Sequence, residues 1–172
     1  MGKHIILVNE KDEQVGEEEK LKAHLEGKLH RCLSIFIFNS KGEMLLQRRA
    51  KEKYHSGGLW TNACCGHQDP GEENESAAHR CLNLEMGFDC PLKEIFTFTY
   101  RAELDHGITE NEFDHVFMGM YDGKISPNPE EAEDFRWMSR KALREDVKKN
   151  PEKYTYWFKI CFERAITFLK KN

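Results

Sequence analysis

The chain has 172 residues, 39% of them hydrophobic, and a formal charge of −4 at pH 7. That length and apolar content suit one domain with a packed core, and the mildly acidic balance excludes a general nucleic-acid binder, which would carry a basic face. No apolar run approaches the ~20 residues of a membrane span, the first residues carry no signal-peptide pattern, and adjacent Cys64 and Cys65 among six cysteines suit a reducing compartment, so the expected location is the cytoplasm.

In chain order, His4 to Val8 is a short apolar run and reads as a strand, followed by a polar, turn-rich stretch from Asn9 to Gly16. Glu17 to Leu25 reads as a short helix, acidic in its first turn as the helix dipole favours. Cys32 to Phe38 and Glu43 to Gln47 are expected strands, joined through Asn39-Ser40-Lys41-Gly42, a hairpin by its turn chemistry. Arg49 to Gly58 is a charged loop. Asn74 is the expected cap of a helix that reaches Met86 and stops at Gly87. Along it Ala77, Cys81, Leu84 and Phe88 fall at helical spacing and predict one buried stripe.

Ile95 to Ala102 and Phe113 to Tyr121 predict two further strands. Ser126 to Glu133 holds Pro127, Pro129 and an acidic run, so it reads as a loop. Phe135 to Met138 reads as a last short strand, Ser139 as the cap of a helix to Lys149, and Glu152 to Lys170 as a longer helix. Strands and helices interleave without regular βαβ spacing. The expected class is therefore α+β, a mixed β-sheet core flanked by helices, rather than a doubly wound fold.

Three groups of residues can carry chemistry. Gly66, Glu72, Arg80, Glu85 and Gly87 form a loop-then-helix pattern in which Glu72 and Glu85 can hold a hard cation such as magnesium through oxygen and bridge it to phosphate. Either glutamate alone reads as a solvated surface residue; the joint spacing carries the functional reading. His24, His30 and His67 form a second group with Glu110 and Glu112. Residues two apart on a strand face the same way, so both carboxylates can enter one site, and three imidazoles with one or two carboxylates suit zinc or manganese. Spacing alone does not join these histidines, and His4, His55, His79, His106 and His115 carry no stronger claim than surface or core residues.

The third group is Cys65 with the basic residues Lys20, Arg48, Arg49, Lys51 and Lys53. A thiol entering a helix through a loop can have a lowered pKa and act as acid or base. The ordinary role of a free cysteine is a small buried hydrophobe, which fits Cys64 better than Cys65 if neighbours in an extended segment face opposite ways. Arginine pairs with phosphate in a bidentate way and lysine as a point charge, against the plain alternative of a solvated loop. Trp157 lies among Tyr154, Tyr156 and Phe158, a cluster that reads as core, although an indole over a pocket stabilises a cation by about 2 kcal/mol when desolvated.

The spacing from Gly66 to Gly87 resembles the Nudix box, with Cys81 and Leu84 where two carboxylates are usual. With Lys20 to His24, Leu29-His30, Arg48-Arg49-Ala50, Trp60 to His67, Tyr100-Arg101-Ala102, Gly107 to Glu112 and Tyr156-Trp157, the chain resembles the type I isopentenyl-diphosphate isomerases, a branch of the Nudix superfamily, over most of its length. The resemblance implies a single Nudix-type domain over 1–172, in which 1–30 is an N-terminal extension contributing metal ligands and 139–172 supplies helices covering the pocket. It implies interconversion of isopentenyl and dimethylallyl diphosphates through a tertiary carbocation, in isoprenoid biosynthesis. Cys65 and Glu112 would flank the alkene, with Tyr100 supporting Glu112. Lys20, Arg49 and Lys53 would contact the diphosphate, Trp157 would face the cation, and Glu85 would help hold Mg2+ on the diphosphate. His24, His30, His67, Glu110 and Glu112 would bind one divalent ion, Mn2+, Mg2+ or Zn2+.

The expected partner is a small diphosphate, with no nucleic acid or membrane partner, and the expected state is a monomer. Some relatives carry a second arginine, reaching phosphate, at the position of Cys81; the helical stripe instead buries Cys81. Two rival readings are a Nudix pyrophosphohydrolase acting on a nucleotide and a non-catalytic, zinc-stabilised binding module.

Overall fold

In the computed structural model, which describes residues 2–169, the chain opens on an antiparallel pair, β1 (His4–Val8) and β2 (Gln14–Glu19). The helix expected over Glu17 to Leu25 is thus shorter: α1 spans Lys20–Leu25. The acidic run belongs to the strand because it pairs residue by residue with β1, from His4 against Glu19 to Leu7 against Gly16. Glu19 then serves as the cap of α1, its carboxylate accepting from the N–H groups of Leu21 and Lys22.

Next come β3 (His30–Phe38) and β4 (Glu43–Arg49), joined as expected at Asn39 to Gly42. The Asn39 side chain accepts from the Lys41 and Glu43 N–H groups and fixes that turn. Two short strands, β5 (Trp60–Thr61) and β6 (Cys64–Gly66), lead into α2 (Asn74–Met86). The long strands β7 (Leu92–Glu103) and β8 (Thr109–Met120) follow, then β9 (Ala132–Ser139), α3 (Arg140–Lys149) and α4 (Tyr156–Leu169). Ser139 caps α3 as expected, through Ala142 N–H. The last helix starts later than Glu152, because Pro151–Lys153 forms a separate 3-10 turn; Lys170 lies outside the described residues.

The sheet is mixed. β3 runs parallel to β8 along its whole length, from His30 opposite Glu112 to Phe38 opposite Met120, and also pairs with β1, β6 and β4. β8 pairs antiparallel with β7, and β4 with β5 and β9. This central strand is buried on both faces. Leu33, Ile35 and Ile37 pack with Cys64 against Ala77, Ala78, Leu82 and Met86 of α2. Phe36 and Phe38 pack with Val116 against Leu143 of α3 and Phe158, Phe162 and Ile166 of α4. Burying each such large side chain contributes roughly 1.5–3 kcal/mol, so the two helical layers hold the sheet from both sides.

Two details of α2 differ from the sequence expectation. The cap position is Glu73, and Asn74 is the first helical residue, its side chain lying 3.3 Å from a His115 ring nitrogen instead. The stripe holds for Ala77, Cys81 and Phe88 but not for Leu84, which is 56% exposed. The buried arc is centred on Ala78, Cys81 and Leu82, so Leu84 falls at its edge, beside the mouth of a cavity. Gly87 ends the helix as expected, in the left-handed conformation with φ 72°.

Candidate active site

Strand register builds one polar row across the sheet. His30 on β3 and Tyr100 on β7 both lie opposite Glu112 on β8, and Ser34 on β3 lies opposite Cys65 on β6. Alternation then puts Glu110, Glu112 and Asp114 on one face with His30, Cys32 and Ser34. Cys64 and Cys65 face opposite ways: Cys64 enters the core against α2, and Cys65 enters a cavity of ≈ 240 Å³. Glu112 and Tyr100 line the same cavity. At about 30 Å³ per water, it has room for a small molecule.

The loop after α1 reaches this row through Asn111. That residue faces away from Glu110 and Glu112, and its Nδ2 donates to Gly27 O at 2.9 Å. The bond ties the end of α1 to β8 and brings His24 to Glu110, their Nε2 and Oε2 atoms 3.4 Å apart. His24 donates Nδ1–H to Lys20 O at 2.6 Å, and His30 donates Nδ1–H to Lys28 O at 2.8 Å. In the neutral ring this leaves each Nε2 lone pair facing the cluster. His67 Nε2 lies 3.2 Å from Glu112 Oε1 and His30 Nε2 3.4 Å from the same oxygen.

The cluster fits a divalent cation by its donor chemistry. One ligand atom from each of His24, His30, His67 and Glu112 lies within 4.8 Å of the others, and all four residues are buried. His30 Nε2 and Glu110 Oε2 are buried without a hydrogen-bond partner among the described residues, a costly arrangement that a bound cation would relieve. Glu110 sits slightly apart, grouped with His24 and with His55, a residue to which the sequence assigned no role. His55 belongs to the loop from Arg49 to Gly58, and nothing in its spacing marked it.

Burial sets the protonation states. It would raise the Glu112 carboxyl, but His30 and His67, both packed against its Oε1, outweigh it and hold Glu112 well below the ordinary range. Burial, reinforced by the positive charge of Lys20, pushes His67 well below its usual value, so its ring is neutral. Burial and then the Glu112 charge hold the Tyr100 phenol protonated, and its O–H makes a short bond to Glu112 Oε2. The Cys65 thiol differs from the sequence expectation of a lowered pKa. Burial, then the nearby Asp114, pushes it up to about 12, so sulfur keeps its proton at neutral pH. Cys65 is the middle residue of β6, held by its pairing with β3.

Cys65 is held from three sides. Its thiol donates to Asn62 Oδ1 at 3.2 Å, its sulfur accepts Trp157 Nε1–H at 3.1 Å, and Ser34 Oγ lies 3.7 Å away. Asn62 is itself locked, donating to the Ile35 and Cys64 carbonyls. Ser34 donates onward to Asp114 Oδ2 at 2.7 Å. Asp114 is fully buried and was missed by the sequence reading, although it continues the alternation of Glu110 and Glu112.

The basic residues divide by strand alternation. Arg49 points inward and Arg48 outward, to Glu133 and Trp60. Lys20, Arg49 and Lys53 line the cavity, whereas Lys51 is exposed. Lys53 pairs closely with Glu131. Lys20 and Arg49 have no carboxylate ion-pair partner among the described residues; Lys20 lies over the Tyr54 ring and Arg49 over the Trp157 ring at 5.3 Å. Half-buried Lys20 and buried Arg49 without anions of their own make this wall fit to receive an anionic ligand. Lys3 also lines the cavity and escaped notice in the sequence.

Glu85 reaches the same cavity and accepts from Gln47 Nε2 at 2.8 Å; burial raises its pKa above the usual carboxylate value. Glu72 instead forms a two-pronged pair with Arg80, at 2.8 and 2.7 Å, and Arg80 also donates to His67 O. Cys81 is buried under Gly66: a Cβ there would meet its sulfur at 2.5 Å, so glycine is required at 66. Cys81 keeps to the helical stripe and also lines the cavity wall.

Three comparisons bear on this arrangement. Residues 28–158 match the NUDIX domain. The chain is 50% identical over 172 residues to isopentenyl-diphosphate Delta-isomerase 2 of Aromatoleum aromaticum, covering 100% of this chain and 91% of that protein. It is 46% identical over 160 residues to the isopentenyl-diphosphate Delta-isomerase of Pectobacterium atrosepticum, covering 93% and 89%. Among solved structures, DR0079 from Deinococcus radiodurans superposes with a TM-score of 0.72 at 22% identity, covering 86% of this chain and 90% of that one. The MutT protein from Methanosarcina mazei gives 0.67 at 20%, covering 84% and 96%. These two bear on the fold alone.

Proposed function

The chain belongs to the isopentenyl-diphosphate Delta-isomerases with a NUDIX domain, and from that premise we propose how its residues divide the work. The enzyme interconverts isopentenyl diphosphate and dimethylallyl diphosphate. Moving the double bond adds a proton at the terminal methylene, leaves a tertiary cation at the branched carbon, and removes a proton from the next carbon, whose C–H electrons become the new double bond. An acid and a base on opposite faces do this without a redox cofactor.

Cys65 and Glu112 are the pair. The observation that carries this reading is that the Cys65 thiol and the Glu112 carboxyl line one small cavity whose other wall holds Lys20 and Arg49, cations without carboxylate ion-pair partners among the described residues. The two groups start as one acid and one base, which the reaction needs in either direction. Tyr100 holds the Glu112 carboxylate by its O–H. Trp157 orients the Cys65 sulfur and presents an indole to the cation. Lys20, Arg49 and Lys53 clamp the diphosphate, and Glu85 helps hold Mg2+ against it. That ion, when bound, neutralises diphosphate charge.

His24, His30, His67, Glu110 and Glu112 hold one divalent ion, Mn2+, Mg2+ or Zn2+. Such an ion, when bound, supplies a fixed positive charge beside Glu112. The N-terminal extension supplies His24 and His30 to the site, and α3 and α4 close the pocket and exclude water, which would otherwise trap the cation as an alcohol. No helix among the described residues is long and apolar enough to cross a membrane; the proposed setting is a monomer in the cytoplasm, acting in isoprenoid biosynthesis.

A nucleotide pyrophosphohydrolase would need more carboxylates from α2 than Glu85; Cys81 and Leu84 stand beside it in the cavity wall. A non-catalytic binding module leaves the Cys65 network without a purpose. Incubation with isopentenyl diphosphate in deuterated water tests the choice. Dimethylallyl diphosphate carrying deuterium is expected; release of phosphate from nucleoside diphosphates, or metal binding with no turnover, would reverse it.

A further inference from the structure

His55 is a buried histidine that the catalytic reading leaves unused. Its ring lies edge-on to Tyr54 and Trp157. Nε2 is 2.9 Å from Glu110 Oε1, and Nδ1 is 3.3 Å from Ser56 Oγ. The other carboxylate oxygen, Glu110 Oε2, is the one that faces His24 and has no hydrogen-bond partner among the described residues. The two oxygens of Glu110 are therefore engaged differently, one by His55 and one toward the metal cluster.

Ring orientation separates His55 from His24 and His30. His24 and His30 spend Nδ1–H on backbone carbonyls and keep an Nε2 lone pair for the cluster. His55 turns Nε2 toward a carboxylate, which only accepts, so that nitrogen carries the proton. Its ligand atoms lie close enough to His24 and Glu110 for it to count as a ligand by proximity. Its hydrogen bonding gives it the other role. The same residue also anchors the phosphate wall, because its carbonyl accepts Arg49 Nη2 at 3.2 Å.

We propose that His55 is a positioning residue of the metal centre: its Nε2–H holds Glu110 Oε1 so that Oε2 stays aimed at the divalent ion shared with His24. The proposal rests on the reading of the His/Glu cluster as a metal site. Outer-sphere partners of this kind typically carry 10–100-fold in metal affinity, because they fix the ligand before the ion arrives.

Cobalt(II) bound to the full-length, metal-stripped protein tests this, with affinity read by competition against a chelator and coordination read from the visible spectrum. His55→Ala is expected to bind one cobalt per chain with the wild-type spectrum and about ten- to a hundredfold weaker affinity. His55→Gln, whose amide N–H reaches the same place, is expected to recover part of that loss. His24→Ala, which removes a ligand, is expected to change the spectrum. Wild-type affinity in both His55 variants overturns the proposal, as does a His55→Ala spectrum altered like that of His24→Ala, which would make His55 a ligand. Cobalt binding by His24→Ala identical to wild type would instead strike the metal reading itself, and the proposal with it. Thermal melting of the stripped variants separates these outcomes from misfolding.

Discussion

The indole N–H of Trp157 points at the sulfur of Cys65, 3.1 Å away across 92 positions of sequence. Because the thiol proton is already committed to Asn62 Oδ1, the sulfur is fixed from both sides, one of them the first turn of α4.

Replacing Trp157 with Phe keeps most of the ring and deletes the donor. A lost hydrogen bond of about 1–1.5 kcal/mol corresponds to roughly tenfold in rate. Steady-state kinetics are expected to register it in kcat, with KM nearly unchanged. A raised KM with intact kcat would assign Trp157 to packing instead.

Cys65→Ala and Glu112→Gln are expected to lower turnover by about 10²–10⁴-fold, the usual contribution of a general acid or base, while near-UV circular dichroism stays native. Turnover within a few-fold of wild type in either protein would remove that residue from the chemistry.

Tyr100→Phe leaves the Glu112 Oε2 atom with the Cys32 thiol, at 3.0 Å, as its one hydrogen-bond partner among the described residues. A charge-assisted bond of about 1.5–3 kcal/mol is lost, so kcat is expected to fall about ten- to a hundredfold. Comparison of the pH profiles of the two proteins checks it: the limb assigned to Glu112 should move to higher pH, since a donor that favoured the ionised carboxylate is gone.

The raised pKa of Cys65 makes a chemical prediction. With its thiol at about 12 against 9.0 for an unperturbed cysteine, it holds about a thousandfold less thiolate than a free thiol near neutrality. Alkylation by iodoacetamide, mapped to this residue by mass spectrometry, should be slow at pH 8 and still rising above pH 10. A rate that levels off by pH 8 would show a lowered pKa.

Glu72 and Arg80 are a stability pair. The two-pronged contact holds the Glu72 carboxyl below its ordinary value of 4.5, with the hydrogen bond from Arg80 as the largest cause. A depressed carboxyl contributes stability above its unfolded value and loses it as pH falls through its folded one. Glu72→Gln is expected to cost about 1–2 kcal/mol at pH 7 and to flatten the acid side of the stability curve, with activity little changed. Urea denaturation at pH 7 and pH 3 measures both.

Much of this was written locally. Alternation along β3 and β8, the turn at Asn39 to Gly42, the helix stop at Gly87 and the same-face placement of Glu110 and Glu112 follow from backbone geometry over a few residues, which the chain carries with it. Period two likewise separates Cys64 from Cys65 and Arg48 from Arg49. Tertiary structure alone decided what those periods meet. Pairing with β1 drew the acidic run of Gln14–Glu19 into a strand, because hydrogen bonds to a distant partner outweigh a weak local preference for helix. Parallel register placed His30 and Tyr100 beside Glu112, burial rather than a helix end set the Cys65 pKa, and a loop with no periodicity delivered His55 to Glu110. Desolvation and cross-chain contact depend on which surfaces come together, and that is a property of the packed whole.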